Sequence, residues 1–200
     1  YGRKVADFVG TMVQEGGQLI RERVAKYHIA CDLKDGNVFA AFTKKQMDDL
    51  AAMKALWKRH GMDDHEMLDR AGIRAHVASD VYIGGMLDTS GGHMHPLNLA
   101  LGQAAALESL GGIIHEDSTV TAVESMTGVP VVRTNRGIVR PKVLILAGNA
   151  YLGHAVPELE NRVMPFSTQM IATEPLGARA TGILPTDMCV EDVRYILDYY

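Results

Sequence analysis

PKVLILAGNAYLG, Pro141 to Gly153, is the stretch on which the reading of this chain turns. Val143-Leu144-Ile145-Leu146 is a short unbroken aliphatic run, the pattern of a strand covered on both faces. Directly after it, Ala147-Gly148-Asn149-Ala150 shrinks the side chains. Small residues at the carboxyl end of a buried strand let backbone amides approach a ligand, and open α/β sheets bind ligands at such strand ends. An ordinary strand-to-helix turn has the same form, so the segment needs its surroundings.

Upstream, the third and second quarters of the chain supply them. Leu97, Ala100, Leu101, Ala104 and Leu107 form an alanine-rich stripe on a helix running from Leu97 to Leu110, with Pro96 suited to its first turn and Gly111-Gly112 ending it. Strand signals then follow closely at Ile113–Glu116, Ser118–Ser125, Val129–Thr134, Ile138–Arg140 and Val143–Leu146, with Asn135-Arg136-Gly137 as a tight turn. Helix, meander and final buried strand fit the second half of a nucleotide-binding α/β domain.

The amino-terminal region reads as a one-sided helix, with Val5, Phe8, Val9, Met12, Val13, Leu19, Ile20 and Val24 at helical spacing and Gly16-Gly17 weakening its middle. Tyr27–Leu33 and Val38–Phe42 flank Asp35-Gly36, which predicts a β-hairpin. Thr43-Lys44-Lys45-Gln46 has the form of a capping box, opening a helix that turns Met47, Leu50, Met53, Leu56 and Trp57 inward. Asp64–Ala71 reads as a short helix stopped at Gly72, with His60 and His65 as solvated histidines. Val81–Leu87 is strand-like, and Gly84-Gly85 within it marks a bulge or a close backbone approach. Beyond Gly153 the character changes: Val163–Thr173 alternates and Val193–Tyr200 is extended, as in a second, mostly antiparallel sheet. Beginning at Tyr1 and closing on Tyr199-Tyr200 in an apolar run, the chain reads as a piece of a longer protein.

Composition excludes several classes. With 200 residues, 47% of them hydrophobic, the chain can bury a sizeable core. A net charge of −4 gives no electrostatic reason to expect nucleic acid or an anionic membrane, and no apolar run approaches the roughly 20 residues of a membrane span. Cys31 and Cys189 stand far apart in unrelated contexts, the usage of reduced thiols in a cytoplasmic protein. No G-x-G-x-x-G, G-K-[ST] or C-x-x-C is present. Neither cysteine has the basic setting of a nucleophile, and Ser90 lacks the G-x-S-x-G elbow.

His93 and His95 are the sharpest local signal. H-x-H on extended backbone puts both rings on one face, as two ligands of a zinc hydrolase would be; Asp88, His115 and Asp117 are third-ligand candidates by type alone. Two other readings stand beside it: loop histidines that cap the following helix, and side chains that face a substrate or cofactor.

The order of segments is more specific than any one of them. Gly85-Met86-Leu87-Asp88, Gly92-His93-Met94-His95-Pro96-Leu97, Ala104-Ala105-Ala106-Leu107, Gly111-Gly112, Thr119-Val120-Thr121-Ala122-Val123-Glu124, Val132-Arg133-Thr134, Leu146-Ala147-Gly148-Asn149-Ala150-Tyr151, Ile171-Ala172-Thr173-Glu174-Pro175-Leu176 and Asp192–Tyr199 succeed one another as in the FAD-dependent D-amino-acid-oxidase-like family. That family includes glycine, sarcosine and amine oxidases, and the chain most resembles its gamma-glutamylputrescine oxidoreductase group. The resemblance implies an α/β (α+β) fold: part of an FAD-binding Rossmann-like domain with a β-meander, plus part of an antiparallel-sheet substrate domain. It implies residues 1–80 as a helical and hairpin segment of the substrate domain, 81–155 as the second half of the FAD domain, and 156–200 as the start of the substrate-domain sheet. It further implies FAD held by Val120, Ala147, Gly148 and Asn149, and a small-molecule amine facing His93, His95, Tyr195 and Tyr199. No metal is implied, and the catalytic residues stay unassigned. The Gly-rich phosphate loop and the acidic ribose ligand with which family members open are lacking in these 200 residues, as is the closing segment after the second sheet.

Overall fold

The structure, a computed structural model, describes residues 2–124 and 128–200. Two compact units divide the chain, Tyr1–Gly112 with Glu174–Tyr200, and Ile113–Thr173.

The first unit is built on a four-stranded mixed sheet. Helix α1 (Arg3–Lys26) precedes β1 (Lys34–Ala41), α2 (Lys44–Arg59), β2 (His65–Leu68), α3 (Arg70–Arg74), β3 (Gly84–His93) and α4 (Pro96–Ser109). The last strand of the chain, Cys189–Asp192, completes the sheet. Its order is β2-β3-β1 and then this final strand, which runs parallel to β1, whereas β3 is antiparallel to both β1 and β2. Alternation along β1 builds two cores. Val38 and Ala40 face a cluster with Leu68, Ile73, Val77, Tyr82 and Val190. Ala41 lies on the opposite face with Leu50 and Met86, where Phe39, Met47, Met53 and Trp57 pack.

Capping holds the helices as the sequence suggests. Thr43 Oγ1 accepts from the Gln46 amide, and Gln46 Oε1 accepts from the Thr43 amide, closing the box at α2. Met47, Leu50, Met53 and Trp57 turn inward, but Leu56 is exposed. In α4, Pro96 occupies the first turn; its contact side is Gly102, where any Cβ would overlap Ile29, and Asn98, which donates to the Ala30 carbonyl at 3.1 Å. Leu97, Leu101 and Leu107, expected inward, are exposed instead.

Three other expectations for this unit are corrected. Asp35-Gly36 does not turn a hairpin. β1 runs straight through it, and Gly36 (φ 98°) absorbs an irregularity at which the pairing passes from Asp35↔Gly92 to Asn37↔Asp88. A long partner strand from later in the chain outcompetes the local turn. Asp64–Ala71 is not one helix: His65–Leu68 pairs with the edge of β3, and Asp69 starts α3 by accepting from the Gly72 amide at 2.7 Å. Val193–Tyr200 is not a continuous strand but a turn that doubles back, so that Tyr200 exchanges backbone hydrogen bonds with Val190 at 2.7 and 2.9 Å.

In the second unit, β4 (Val120–Glu124), β5 (Val131–Thr134) and β6 (Ile138–Val139) form an antiparallel meander. Ser125, the expected end of its first strand, lies outside the described residues. Val123 and Val132 are paired across the strands and both buried. Thr134 Oγ1 accepts from the Arg136 and Gly137 amides, fixing the turn. Ile113–Glu116, Val143–Leu146 and Val163–Thr173 are not strands; Ile113, Val143, Ile145, Phe166 and Ile171 are exposed. A strand needs a paired edge, and the two sheets among the described residues are formed without these segments. A short helix, α5 (Pro157–Glu160), follows, and Cys189–Asp192 is β7.

The glycine pair in β3 is a close approach. A Cβ on Gly84 would stand 2.6 Å from the Leu68 carbonyl oxygen, and one on Gly85 would overlap that of Phe39. Gly85→Ala is therefore expected to lower stability by about 2 kcal/mol or more in urea denaturation, while Gly137→Ala, whose added methyl meets nothing within 4 Å, leaves it within about 0.5 kcal/mol.

Candidate functional site

The residues singled out by the sequence fall into two sets, one in each unit. Val120, Ala147, Gly148 and Asn149 belong to the second. Val120 opens β4 opposite Thr134 and is 42% exposed. Ala147 and Asn149 are exposed and Gly148 is half-buried, at the entrance to a single 3-10 turn over Asn149–Tyr151. Gly148 has ordinary helical backbone (φ −82°), so its smallness is not a torsional requirement; a Cβ there would stand 2.7 Å from Leu152 Cδ2. Asn149, at φ 48°, takes the left-handed conformation that asparagine tolerates. The Gly148 and Asn149 amides donate to no acceptor among the described residues. The corner is thus open, small and lined by free donors.

His93, His95, Tyr195 and Tyr199 belong to the first unit. His95 is the N-cap of α4: its Nδ1 accepts from the Asn98 amide at 3.2 Å, and its own amide donates to the Cys31 carbonyl at 2.7 Å. His93 ends β3 opposite Lys34, and its Nδ1 has no hydrogen-bond partner among the described residues. Lys34 bridges Asp32 and Asp187; hydrogen bonding to Asp187 raises the lysine's pKa, and the same bond lowers that of Asp187. Among the described residues no three His, Cys, Asp or Glu side chains gather to hold one metal ion, so the two histidines are without the third ligand that the zinc reading requires.

Tyr195 and Tyr199 are presented by the final turn, both exposed. Arg194 staples that turn. Its guanidinium donates to Asp192 Oδ2 at 2.8 Å and also binds Asp198, and it lies 5.1 Å over the Phe42 ring. Asp192 is 1% exposed. Burial pushes its pKa up, but the hydrogen bonds from Arg194 and the backbone prevail and hold it below the usual carboxylate range. Beneath the turn the Tyr200 hydroxyl meets that of Tyr82 at 2.9 Å, and burial together with this bond raises its pKa.

His65 is what sequence reasoning missed. Placed with the solvated histidines, it is 8% exposed, its ring packs tilted at 47° against Trp57 with centroids 4.6 Å apart, and Nε2 lies 3.7 Å from Asp88 Oδ1. Its position on β2 was hidden because that strand has only four residues. His60 is also engaged, its Nδ1 2.7 Å from Asp7 Oδ1.

Similarity to known proteins decides what this assembly is part of. A model of the family described as FAD dependent oxidoreductase (DAO) matches residues 2–200. The chain belongs to that family. It is 48% identical over its whole length to gamma-glutamylputrescine oxidoreductase of Escherichia coli (strain K12), of which it covers 47%, and 36% identical to a probable oxidoreductase, OrdL, of Haemophilus influenzae, of which it covers 48%. The chain thus spans about half the length of the curated relatives it matches. L-proline dehydrogenase of P. horikoshii shares the fold at a TM-score of 0.70 over 92% of this chain and 50% of that one, with 16% identity. FAD is the cofactor of the DAO family. Ala147, Asn149 and Val120 are exposed, and Gly148, between the first two, packs against Leu152. Among the described residues no helix is long and apolar enough to cross a membrane.

The Asp192 staple has a pH signature. Its depressed pKa means that the unfolded chain protonates first as pH falls, so the stability it contributes is complete above the unfolded value of about 4 and is lost as pH drops through the lower folded value. Urea midpoints measured downward from pH 6 are expected to fall below about pH 4, and Asp192→Asn to flatten that part of the profile.

Proposed function

We propose that the protein oxidises the C–N bond of an amine or amino acid, with a gamma-glutamylputrescine-like substrate as the first choice. The observation that carries this reading is the family match across residues 2–200 together with 48% identity to gamma-glutamylputrescine oxidoreductase along the entire chain. When bound, FAD supplies the acceptor for a hydride from the carbon beside the amine nitrogen.

The chain's own residues bind and orient. Ala147, Gly148 and Asn149 leave the cofactor room to approach the backbone and offer it two unused amides, and Val120 lines its adenosine edge. On the substrate side are His93, His95, Tyr195 and Tyr199. With Nδ1 of His95 committed to the α4 cap, only Nε2 of that ring is left to meet a substrate. The Tyr195 and Tyr199 hydroxyls stand on a turn that Arg194 keeps in shape. An apolar surround favours the neutral amine, the form able to lose hydride, by disfavouring the ammonium. In this reading residues 81–155, His93 and His95 apart, serve the cofactor, and 1–80 and 156–200 the substrate. The strand β3, beyond residue 80, nonetheless pairs with β1 and β2, both of which lie before it. A cytoplasmic setting is part of the proposal and rests on the two unpaired cysteines, Cys31 and Cys189.

Ala147→Trp tests the corner directly, because an exposed position tolerates a large side chain without loss of the fold. We expect the purified variant to keep its melting temperature and to lose at least about 10-fold in flavin affinity, the equivalent of roughly 1.4 kcal/mol. Unchanged flavin retention would count against approach at Ala147. A well-folded parent protein carrying no flavin would instead be a non-catalytic domain that keeps the family's fold.

A further inference from the structure

The loop 193–197 holds two apolar side chains out in water: Tyr195 is fully exposed and Ile196 is 82% exposed. Burial therefore does not shape its tip; polar bonds at its base do. The Asp192 amide donates to the Asp198 carbonyl at 3.0 Å, directly above the Val190–Tyr200 exchange, and closes the loop at five residues. Val193 is fastened to the sheet, its amide donating to the Ala40 carbonyl at 3.2 Å and its carbonyl accepting from Gln46 Nε2 at 3.4 Å.

Beyond Val193 the loop is held by the fork of Arg194. The inner arm reaches Asp192: Nε donates to Oδ2 at 2.8 Å, while the Arg194 amide donates to Oδ1 at 3.1 Å. The outer arm, a terminal nitrogen, donates to Asp198 across the mouth of the loop. These two partners differ in setting, since the Asp192 side chain is 1% exposed and that of Asp198 is 71% exposed. Below the guanidinium lies Phe42, whose ring is 4.8 Å from that of Tyr82, and the Tyr82 hydroxyl meets that of Tyr200. A ring of contacts thus runs from Arg194 through the core and back to the neighbour of Tyr199.

Stability alone does not account for the inner pair. Taking a carboxylate out of water is costly, and an apolar pair of similar volume often serves a fold as well or better. What the fork adds is direction, because a planar guanidinium joins its partners at fixed angles.

We propose that Arg194 is a positioning residue for amine oxidation: by tying Asp192 to Asp198 it fixes the loop that presents Tyr195 and Tyr199 to the substrate. This rests on the reading that those two tyrosines face the amine. The guanidinium is committed to the two aspartates, so it acts on the substrate only through them. A slack loop weakens the hold on ground state and transition state alike, which raises KM and leaves kcat in place.

The native holoenzyme and its variants are assayed with gamma-glutamylputrescine, and amide hydrogen exchange is followed on the same samples. Asp198→Ala removes the outer arm at an exposed position and leaves no buried charge unpaired. Arg194→Lys keeps a cation for Asp192 but loses the fork, and so serves where a neutral replacement would endanger the fold. In both variants KM is expected to rise about 10-fold while kcat and flavin content stay within about twofold. The Asp192 amide exchanges faster, whereas those of Val190 and Tyr200 keep their protection. Tyr195→Phe and Tyr199→Phe run beside them. If neither changes KM, or if the native protein turns over no gamma-glutamylputrescine, the substrate reading fails and the proposal with it. If a tyrosine variant raises KM while Asp198→Ala and Arg194→Lys do not, that reading stands and Arg194 is structural only. A fall in kcat or flavin content at unchanged KM, or a raised KM without faster exchange at Asp192, also overturns the proposal.

Discussion

Strand β1 is hydrogen-bonded along both edges, antiparallel to β3 on one side and parallel to β7 on the other, and the first unit is arranged to permit this. A strand in that position is covered on both faces over its second half, where its residues are small or apolar. Val38 and Ala40 bury completely on one face and Ala41 on the other. The neighbouring strand gives way in turn: Gly84 and Gly85 carry no side chain where the carbonyls of Leu68 and Phe39 approach. From this pairing follow the register of β3, its bulge at Thr89–Gly91 that Arg21 grips, and the position of the closing turn with its two exposed tyrosines.

Much of this was legible in the residues because the signals were local. The capping box of Thr43 and Gln46, Pro96 at the head of α4, and the Asn135-Arg136-Gly137 turn each act within four residues, and each stands where the sequence puts it. Gly84-Gly85 announced a close approach without saying to what. The misreadings share a cause of the opposite kind. Asp35-Gly36 has hairpin chemistry, yet its strand is claimed by residues 84–93 and 189–192, whose proximity no local pattern reveals. Val143–Leu146 has strand chemistry and finds no edge to pair with. His65 looked polar and solvated because the partner that buries it, Trp57, arrives from a helix.

Of the corner read at the end of a buried strand, the strand itself is not formed, and Gly148 owes its size to Leu152 rather than to backbone torsion. His95 serves the α4 cap, one of the three roles that its H-x-H context left open. A groove under α1 could not be read at all, since it is lined by residues from four separate stretches, none of which carries a motif.

The central claim is that this chain contributes the open corner of a flavin site in an amine-oxidising protein. Its most direct test is the visible spectrum of the native protein, isolated from its source cells without denaturation and then mixed anaerobically with an aliphatic amine. The account predicts a flavin spectrum close to one FAD per chain that bleaches on mixing. A folded protein with no flavin, or a bound flavin that no amine or amino acid reduces, would contradict it.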